Sequence, residues 1–143
     1  LENIELVNKA LWNKDTTISF HSEGADAGKL EESSQGGEIQ VQTEVLSKHL
    51  NKKIDFLKMD IEGAEFEVIK ECEQRLINVD KVFIEYHSFI DQEQKLPELL
   101  TILKNSGFRL YLTTPGLKSQ NPFINIKSYM RMDGQVNIYG IRA

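Results

Sequence analysis

Polar and apolar residues near the start of the chain follow a pattern that predicts β-strands. Residues 4–12 and 16–21 each hold closely spaced apolar side chains, and a polar turn separates the two runs. Two such runs around a short turn predict a hairpin-like pair of strands. Residues 22–37 are then rich in Gly, Ser, Glu and Lys. This predicts a mobile surface loop, because little apolar burial offsets the entropy of ordering it.

From residue 39 onward, the apolar spacing changes repeatedly between the strand period and the helix period. Ile39 and Val41 alternate with glutamines as a short strand, and Thr43 is placed to cap a brief helix through Leu50. The same criteria predict strands at 54–61, 79–87, 108–113 and 136–141, and helices at 64–76 and from Pro97. This order predicts an α/β fold with a mostly parallel sheet and helices on its faces. The last strand follows no helix, which predicts an antiparallel edge strand.

Composition argues against several classes of function. The net charge of -5 and the lack of a Lys/Arg cluster argue against a nucleic-acid partner. No apolar run approaches the roughly 18 residues of a membrane helix, and no signal peptide opens the chain. Cys72 is the single cysteine, which rules out an intramolecular disulfide and fits a reducing compartment. We therefore expect a cytoplasmic protein with neither a nucleic-acid nor a membrane partner.

Acidic side chains gather where the predicted strand at 54–61 ends. Asp60 and Glu62 stand beside a glycine at the corner between this strand and the next helix. In an open α/β sheet, ligands bind in the crevice outside the carboxyl ends of the strands. The next strand also ends in ionisable residues, Glu85 and His87, which share one face because strand side chains alternate. If the two strands are neighbours, the four side chains meet across a cleft, where His87 is a candidate general base.

Other interpretations of these residues stay open. Glu62 and Glu65 can simply complement the positive end of the following helix, where acids are favoured by roughly 0.3–1 kcal/mol. Lys58 shares a face with Asp60 and can keep that carboxylate ionised, or it can be a solvated lysine. Two carboxylates and the imidazole of His87 can also hold a divalent ion. No ligand signature is strong, however, so the sequence predicts no metal.

Three segments resemble the FkbM family of S-adenosylmethionine-dependent methyltransferases: residues 3–11, 55–65 and 84–87. In the middle segment, the resemblance depends on the spacing of Lys58, Asp60, Glu62, Gly63 and Glu65. It implies a Rossmann-like class I methyltransferase sheet. The chain would enter this sheet at its third strand, with residues 54–61 as the fourth strand and residues 79–87 as the fifth.

The chain departs from the family pattern in the first half of the fold. No Gly-rich turn joins an apolar strand to a helix, since Gly36 and Gly37 lie in the polar loop. The chain also starts at Leu1, without methionine, directly before a strand-like run. We therefore interpret residues 1–143 as a single domain that is the C-terminal portion of a methyltransferase domain. We expect this portion by itself to be inactive and to bind S-adenosylmethionine weakly.

The resemblance also implies an activity. The complete protein would use S-adenosylmethionine to methylate a hydroxyl acceptor, namely a carbohydrate or a glycosylated metabolite. Asp60 is the first candidate for contact with the acceptor or the methyl donor, and Glu62 is the second. Glu85 and His87 complete the acceptor side, with His87 or a carboxylate removing the proton.

Contact with the cofactor is a further implication of the resemblance. Ala10 and Leu11 follow the strand that supplies apolar contacts to adenine in related methyltransferases, so either of them is a candidate contact with the cofactor. Simple packing is the preferred interpretation of these two residues. The alternative to an enzyme is a non-catalytic, truncated α/β module whose exposed sheet edge pairs with a second copy, as a homodimer, or with another partner chain.

Overall fold

A computed structural model describes residues 3–22, 28–31, 39–116 and 119–142. These residues form a mixed α/β structure with two sheets. The strands are β1 (Ala10–Leu11), β2 (Thr17–Ser22), β3 (Gly28–Glu31), β4 (Ile39–Glu44), β5 (Leu57–Met59), β6 (Lys81–Phe89), β7 (Phe108–Thr113) and β8 (Met132–Arg142). The helices are α1 (Glu65–Glu71) and α2 (Leu96–Asn105), with 3-10 turns at Leu46–Lys48 and Glu73–Asn78. No helix in the described part of the chain could span a membrane.

The first sheet has the order β1-β4-β2-β3, and the predicted hairpin of the first two strands is wrong. β1 pairs in parallel with β4, which also pairs antiparallel with β2. The reason lies in the buried Thr43 of β4, whose hydroxyl donates to the Lys14 carbonyl at 2.7 Å and accepts from the Thr16 amide at 3.0 Å. These bonds attach the polar turn to β4. Thr43 therefore does not cap a helix, and only the 3-10 turn Leu46–Lys48 follows it.

Part of the predicted mobile loop, residues 22–37, is a strand. β3 (Gly28–Glu31) pairs antiparallel with β2, which itself extends to Ser22. A ladder of backbone hydrogen bonds needs no large apolar side chains, so the composition of this stretch did not reveal it. The remainder of the prediction, at residues 23–27 and 32–37, lies outside the described residues.

The second sheet has the order β5-β6-β8-β7. β5 and β6 run parallel, as the α/β prediction requires, but β8 is antiparallel to both of its neighbours, β6 and β7. The closing strand is therefore antiparallel as predicted, but its predicted position at the edge is wrong. Its interior position is enforced by Ile138, which is fully buried, and by Gly140, where a Cβ would lie 2.6 Å from Val82 Cγ1. A mostly parallel, Rossmann-like sheet is not confirmed.

Both α-helices pack on one face of this second sheet. The core combines Val82 and Ile84 of β6 with apolar side chains of the helices, namely Val68, Ile69, Leu99 and Leu103. On the opposite face, Tyr111 is 68 % exposed and Tyr139 is 43 % exposed. In the described part of the chain, helices thus cover one face rather than both. The helix predicted at 64–76 is α-helical only as far as Glu71, and the 3-10 turn Glu73–Asn78 follows it.

Candidate active site

Parallel pairing of β5 and β6 brings the predicted site residues together at one edge of the sheet. Asp60 directly follows β5, and Glu85 and His87 lie near the end of β6. One side-chain ligand atom from each of these three residues lies within 4.8 Å of the others. His87 Nε2 is 3.7 Å from Glu85 Oε1 and 3.8 Å from Glu62 Oε2. We call Asp60, Glu62, Glu85 and His87 the acid–imidazole cluster.

The buried Glu65 orients the imidazole of this cluster. Glu65 is the first residue of α1 and is fully buried. Its Oε1 accepts a hydrogen bond from His87 Nδ1 at 3.0 Å, and its carboxylate also accepts the Gly63 amide at 3.0 and 3.1 Å. A carboxylate at this position is further stabilised by the positive end of the helix. With Nδ1 occupied in this way, Nε2 is the nitrogen that faces the cluster.

Opposing effects act on the pKa of His87. Burial of the imidazole acts to lower its pKa, because it disfavours the charged form. The hydrogen bond from Nδ1 to Glu65 and the negative charges of Glu65, Glu62 and Glu85 act in the other direction. The carboxylates outweigh burial, so the pKa of His87 lies above its ordinary value. The imidazole is therefore a stronger base here than in water.

The backbone between β5 and α1 is strained at the cluster. Glu62 has a φ of 53° and Gly63 a φ of 104°. A non-glycine residue in the left-handed region costs about 1–2 kcal/mol, and such strain is frequent at functional sites. The turn leaves the Glu62 side chain about half exposed beside His87. Partial burial is the largest cause of a raised Glu62 pKa, and it outweighs the opposing effect of His87.

The remaining acids of the cluster have polar neighbours. Lys58 Nζ lies 3.4 Å from Asp60 Oδ2, as the sequence suggested, but 59 % of the lysine side chain is exposed. An exposed pair of this kind contributes little to stability. Gln135 of β8 donates its side-chain amide to Glu85. Sequence reasoning missed Gln135, because its place beside Glu85 depends on the pairing of β8 with β6.

A pocket of about 250 Å³ adjoins the cluster. Glu62 and His87 line it together with aromatic side chains, namely Trp12, Phe66, Tyr86 and Phe89. Ala10 and Leu11, the predicted cofactor contacts, do not line this pocket; both are half-buried in β1, and Leu11 packs against the core. The neighbouring Trp12 lines it instead, and its Nε1 is buried without a hydrogen-bond partner among the described residues.

Comparison with known proteins identifies the family. The family model described as Methyltransferase FkbM domain matches residues 2–110, which is more than half of the chain. No curated protein and no solved structure matches the chain significantly. The matched region includes β5, α1 and β6, and therefore every member of the acid–imidazole cluster. The chain belongs to the FkbM methyltransferase domain family.

Proposed function

We propose that this domain, in the protein that contains it, transfers the methyl group of S-adenosylmethionine to the oxygen of a hydroxyl acceptor. Membership of the FkbM family supports the reaction class. The observation that most supports the site is the meeting of Asp60, Glu85 and His87 at one sheet edge, with Glu62 beside them. The acceptor class that we propose, a carbohydrate or a glycosylated metabolite, comes from the family resemblance.

The residues present suit one end of this cofactor. A sulfonium is a cation, and cations are attracted by carboxylates and by aromatic faces, both of which line the pocket beside Glu62. The pocket has a volume of about 250 Å³, which is below the roughly 300–1,000 Å³ of sites that enclose a whole drug-sized ligand. We therefore propose that it takes only the sulfonium end of the cofactor. When bound, the cofactor supplies an electrophilic methyl carbon whose bond to sulfur breaks to leave a neutral thioether. The unpartnered Nε1 of Trp12 can donate to a ligand oxygen or nitrogen.

The side chains of the cluster then have separate tasks. Asp60 accepts a hydrogen bond from the acceptor hydroxyl and so points its oxygen at the methyl carbon. As the new oxygen–carbon bond forms, the hydroxyl proton passes to His87 Nε2 or to the Glu62 carboxylate. Glu65 acts as a positioning residue, because it holds His87 with Nε2 toward the cluster.

The activity test uses the whole protein that contains this domain. It is incubated with S-adenosylmethionine and a panel of hexoses and glycosides, and release of S-adenosylhomocysteine is measured. We expect release to depend on one class of sugar hydroxyl and to fall about 100-fold or more in Asp60→Asn. Glu73→Gln, which removes an exposed acid that neither belongs to the cluster nor lines the pocket, is the matched control. No acceptor-dependent release, or full activity of Asp60→Asn, would contradict the proposal.

We also propose that residues 1–143 alone bind S-adenosylmethionine weakly. The sequence contains no Gly-rich turn between a strand and a helix, so the backbone amides that such a turn presents to a ligand are missing from it. Isothermal titration calorimetry on the 143-residue chain measures this directly. Low-micromolar affinity would show that this proposal is wrong.

A second candidate function, self-association, is favoured by the edge strand β7. Among the described residues, β8 is the one neighbour of this strand, and Tyr111 and Leu112 are 68 % and 43 % exposed. Unpaired backbone groups on such an edge can pair with a second copy of the chain. Sedimentation velocity should then show a dimer that weakens when both residues are replaced by lysine. A monomer at all concentrations would exclude this candidate.

A further inference from the structure

Three side chains of the cluster have the spacing of ligands around one ion. Asp60 and Glu85 each offer a carboxylate oxygen and His87 offers a ring nitrogen, and these three atoms all lie within 4.8 Å of one another. Nε2 is the ring nitrogen that is not bonded to Glu65. Ligands at about 2.0–2.2 Å from a common ion lie roughly 3–4.4 Å apart. The distance of 3.7 Å between His87 Nε2 and Glu85 Oε1 falls inside this interval.

The state of His87 is an independent indication of a ligand. Its side chain is only 3 % exposed, yet Nε2 makes no hydrogen bond to the described residues and is aimed into the cluster. The nearest carboxylate oxygens, of Glu85 and Glu62, lie beyond hydrogen-bond distance at 3.7 and 3.8 Å. Meanwhile Nδ1 is bonded to the fully buried Glu65. A histidine that is held through one nitrogen by a carboxylate, and whose other nitrogen faces further carboxylates without a hydrogen bond to them, has the arrangement of metal-ligating histidines.

The excess of negative charge at the cluster also favours binding of a cation. Four carboxylates, including that of Glu65, lie around a single imidazole, and Lys58 is mostly exposed. In addition, Asn137 Oδ1 is buried without a partner among the described residues, and Asn137 is paired with Glu85 in the register of β6 and β8. Directly opposed residues of antiparallel strands have Cβ atoms about 4.5–5.5 Å apart. The surroundings therefore have excess negative charge and an unused oxygen.

We propose that Asp60, Glu85 and His87 bind one divalent cation, for which Mn²⁺ is the best probe. Carboxylates suit Mg²⁺, Ca²⁺ and Mn²⁺, whereas imidazole suits transition metals, so a site with two carboxylates and one imidazole favours Mn²⁺. Three protein ligands leave positions open for water or for a ligand's oxygen atoms.

The role of the ion, unlike its binding, rests on the proposed function. An ion at this position would contact the acceptor oxygen and lower the pKa of the acceptor hydroxyl. Glu62, which is not one of the three ligands, would then take the proton in place of His87. Open positions on the ion also favour acceptors with two neighbouring oxygen atoms, which can bind together.

Electron paramagnetic resonance of Mn²⁺ tests the site without any assay of methyl transfer. Free Mn²⁺ gives a sharp six-line signal that is lost on binding, so titration of the metal-free protein measures stoichiometry and affinity. We expect one bound Mn²⁺ per chain, with affinity lowered about tenfold or more in Asp60→Asn and in Glu85→Gln. Both side chains are partly exposed, so the core stays intact, and circular dichroism checks the fold. Glu73→Gln should bind as the parent does.

A positioning variant sharpens the test. Glu65→Gln keeps the shape of the side chain but removes its charge behind His87, and loss of such an outer partner typically lowers metal affinity about 10–100-fold. A free Mn²⁺ signal that persists at millimolar protein would overturn the proposal. So would unchanged affinity in Asp60→Asn and Glu85→Gln. Mn²⁺ binding without methyl transfer would contradict only the proposed function, and metal-independent methyl transfer without Mn²⁺ binding would contradict only the ion site.

Discussion

His87 Nδ1 lies 3.0 Å from Glu65 Oε1, and this contact joins the end of β6 to the first residue of α1. Both side chains are buried. The same carboxylate accepts the amide of Gly63, so one acid fixes the strand-to-helix turn and the imidazole together. The contact therefore links the stability of the fold to the geometry of the candidate site.

Removal of Glu65 should be strongly destabilising. Glu65→Ala leaves the imidazole of His87 and the amide of Gly63 without their buried acceptor. Breaking a buried pair by removing one partner typically costs about 3–5 kcal/mol. We expect a loss of this size in the free energy of unfolding, measured by urea denaturation. Glu73→Ala, at an exposed position, should stay within about 0.5 kcal/mol of the parent, and a similarly small effect at Glu65 would be inconsistent with this account.

Gly63 should tolerate no side chain. Its φ of 104° is unfavourable for alanine, and a Cβ would lie 2.8 Å from Phe89 Cε2. We expect Gly63→Ala to lose about 1–2 kcal/mol from the backbone and about 1–3 kcal/mol from the clash. Thermal denaturation measures the total loss of stability. In the double variant with Phe89→Leu, the part of this loss that comes from the clash should be recovered, and the part that comes from the backbone should remain.

Gly134 provides the matched control for this substitution. A Cβ at Gly134 would meet Ser88 Cβ at 3.5 Å, which is an ordinary contact, and its backbone lies outside the left-handed region. Gly134→Ala should therefore change the melting temperature much less than Gly63→Ala. Equal effects of the two substitutions would show that neither φ nor the contact with Phe89 matters at Gly63.

Glu44 should make the stability of the first sheet depend on pH. Its carboxylate accepts hydrogen bonds from Lys9 and from His49, and these bonds lower the Glu44 pKa below its ordinary value of 4.5. A carboxylate with a lowered folded pKa stabilises the fold fully above its unfolded pKa, and this contribution disappears as the pH falls through the folded value. Glu44→Gln should thus have a lower free energy of unfolding than the parent at neutral pH. This difference should become smaller below pH 4.5.

Urea denaturation between neutral pH and about pH 3 measures this difference for parent and variant. The comparison isolates Glu44 because the other titrating groups are common to both chains. A deficit that grew as the pH fell would reverse the sign of the linkage and contradict the assignment.

Cys72 should be unreactive toward thiol reagents in the folded chain. The thiol is fully buried, and burial, followed by the charge of Glu71, raises the Cys72 pKa to about 12. Because the thiolate is the reactive form, labelling with a disulfide reagent at pH 8 should proceed only as fast as the chain opens. Labelling in 8 M urea should be complete at once, and equally fast labelling of the native chain would refute the burial of Cys72.

Local patterns predicted where the two α-helices begin, although the helix predicted after Thr43 is only a 3-10 turn and α1 ends at Glu71. The apolar stripe through Val68, Ile69 and Cys72 is buried in α1 and just beyond it, and Pro97 lies in the first turn of α2 as its fixed φ favours. These features follow from side-chain periodicity and backbone chemistry, which act over a few residues. The meeting of Asp60 with Glu85 and His87 was also predictable, given that β5 and β6 are parallel neighbours.

Strand partners were not predictable in the same way. β1 and β2 are consecutive along the chain, yet β4 lies between them in the first sheet. In the same way, β8 lies between the consecutive strands β6 and β7 in the second sheet. Pairing depends on contacts between residues far apart in sequence, such as Thr43 with Lys14, and no local pattern contains them. The predicted hairpin of the first two strands and the predicted edge position of the last strand are wrong for this reason.

By itself, the sequence determined where the two α-helices begin, which strand ends are acidic, and to which family the chain is similar, because those properties depend on residue type and short spacing. Only the tertiary structure decided that Glu65 is buried behind His87, that Gln135 reaches Glu85, and that Trp12 rather than Leu11 lines the pocket. Each of these contacts brings together residues more than 20 positions apart, so it exists only once the strands have paired and the core has excluded water.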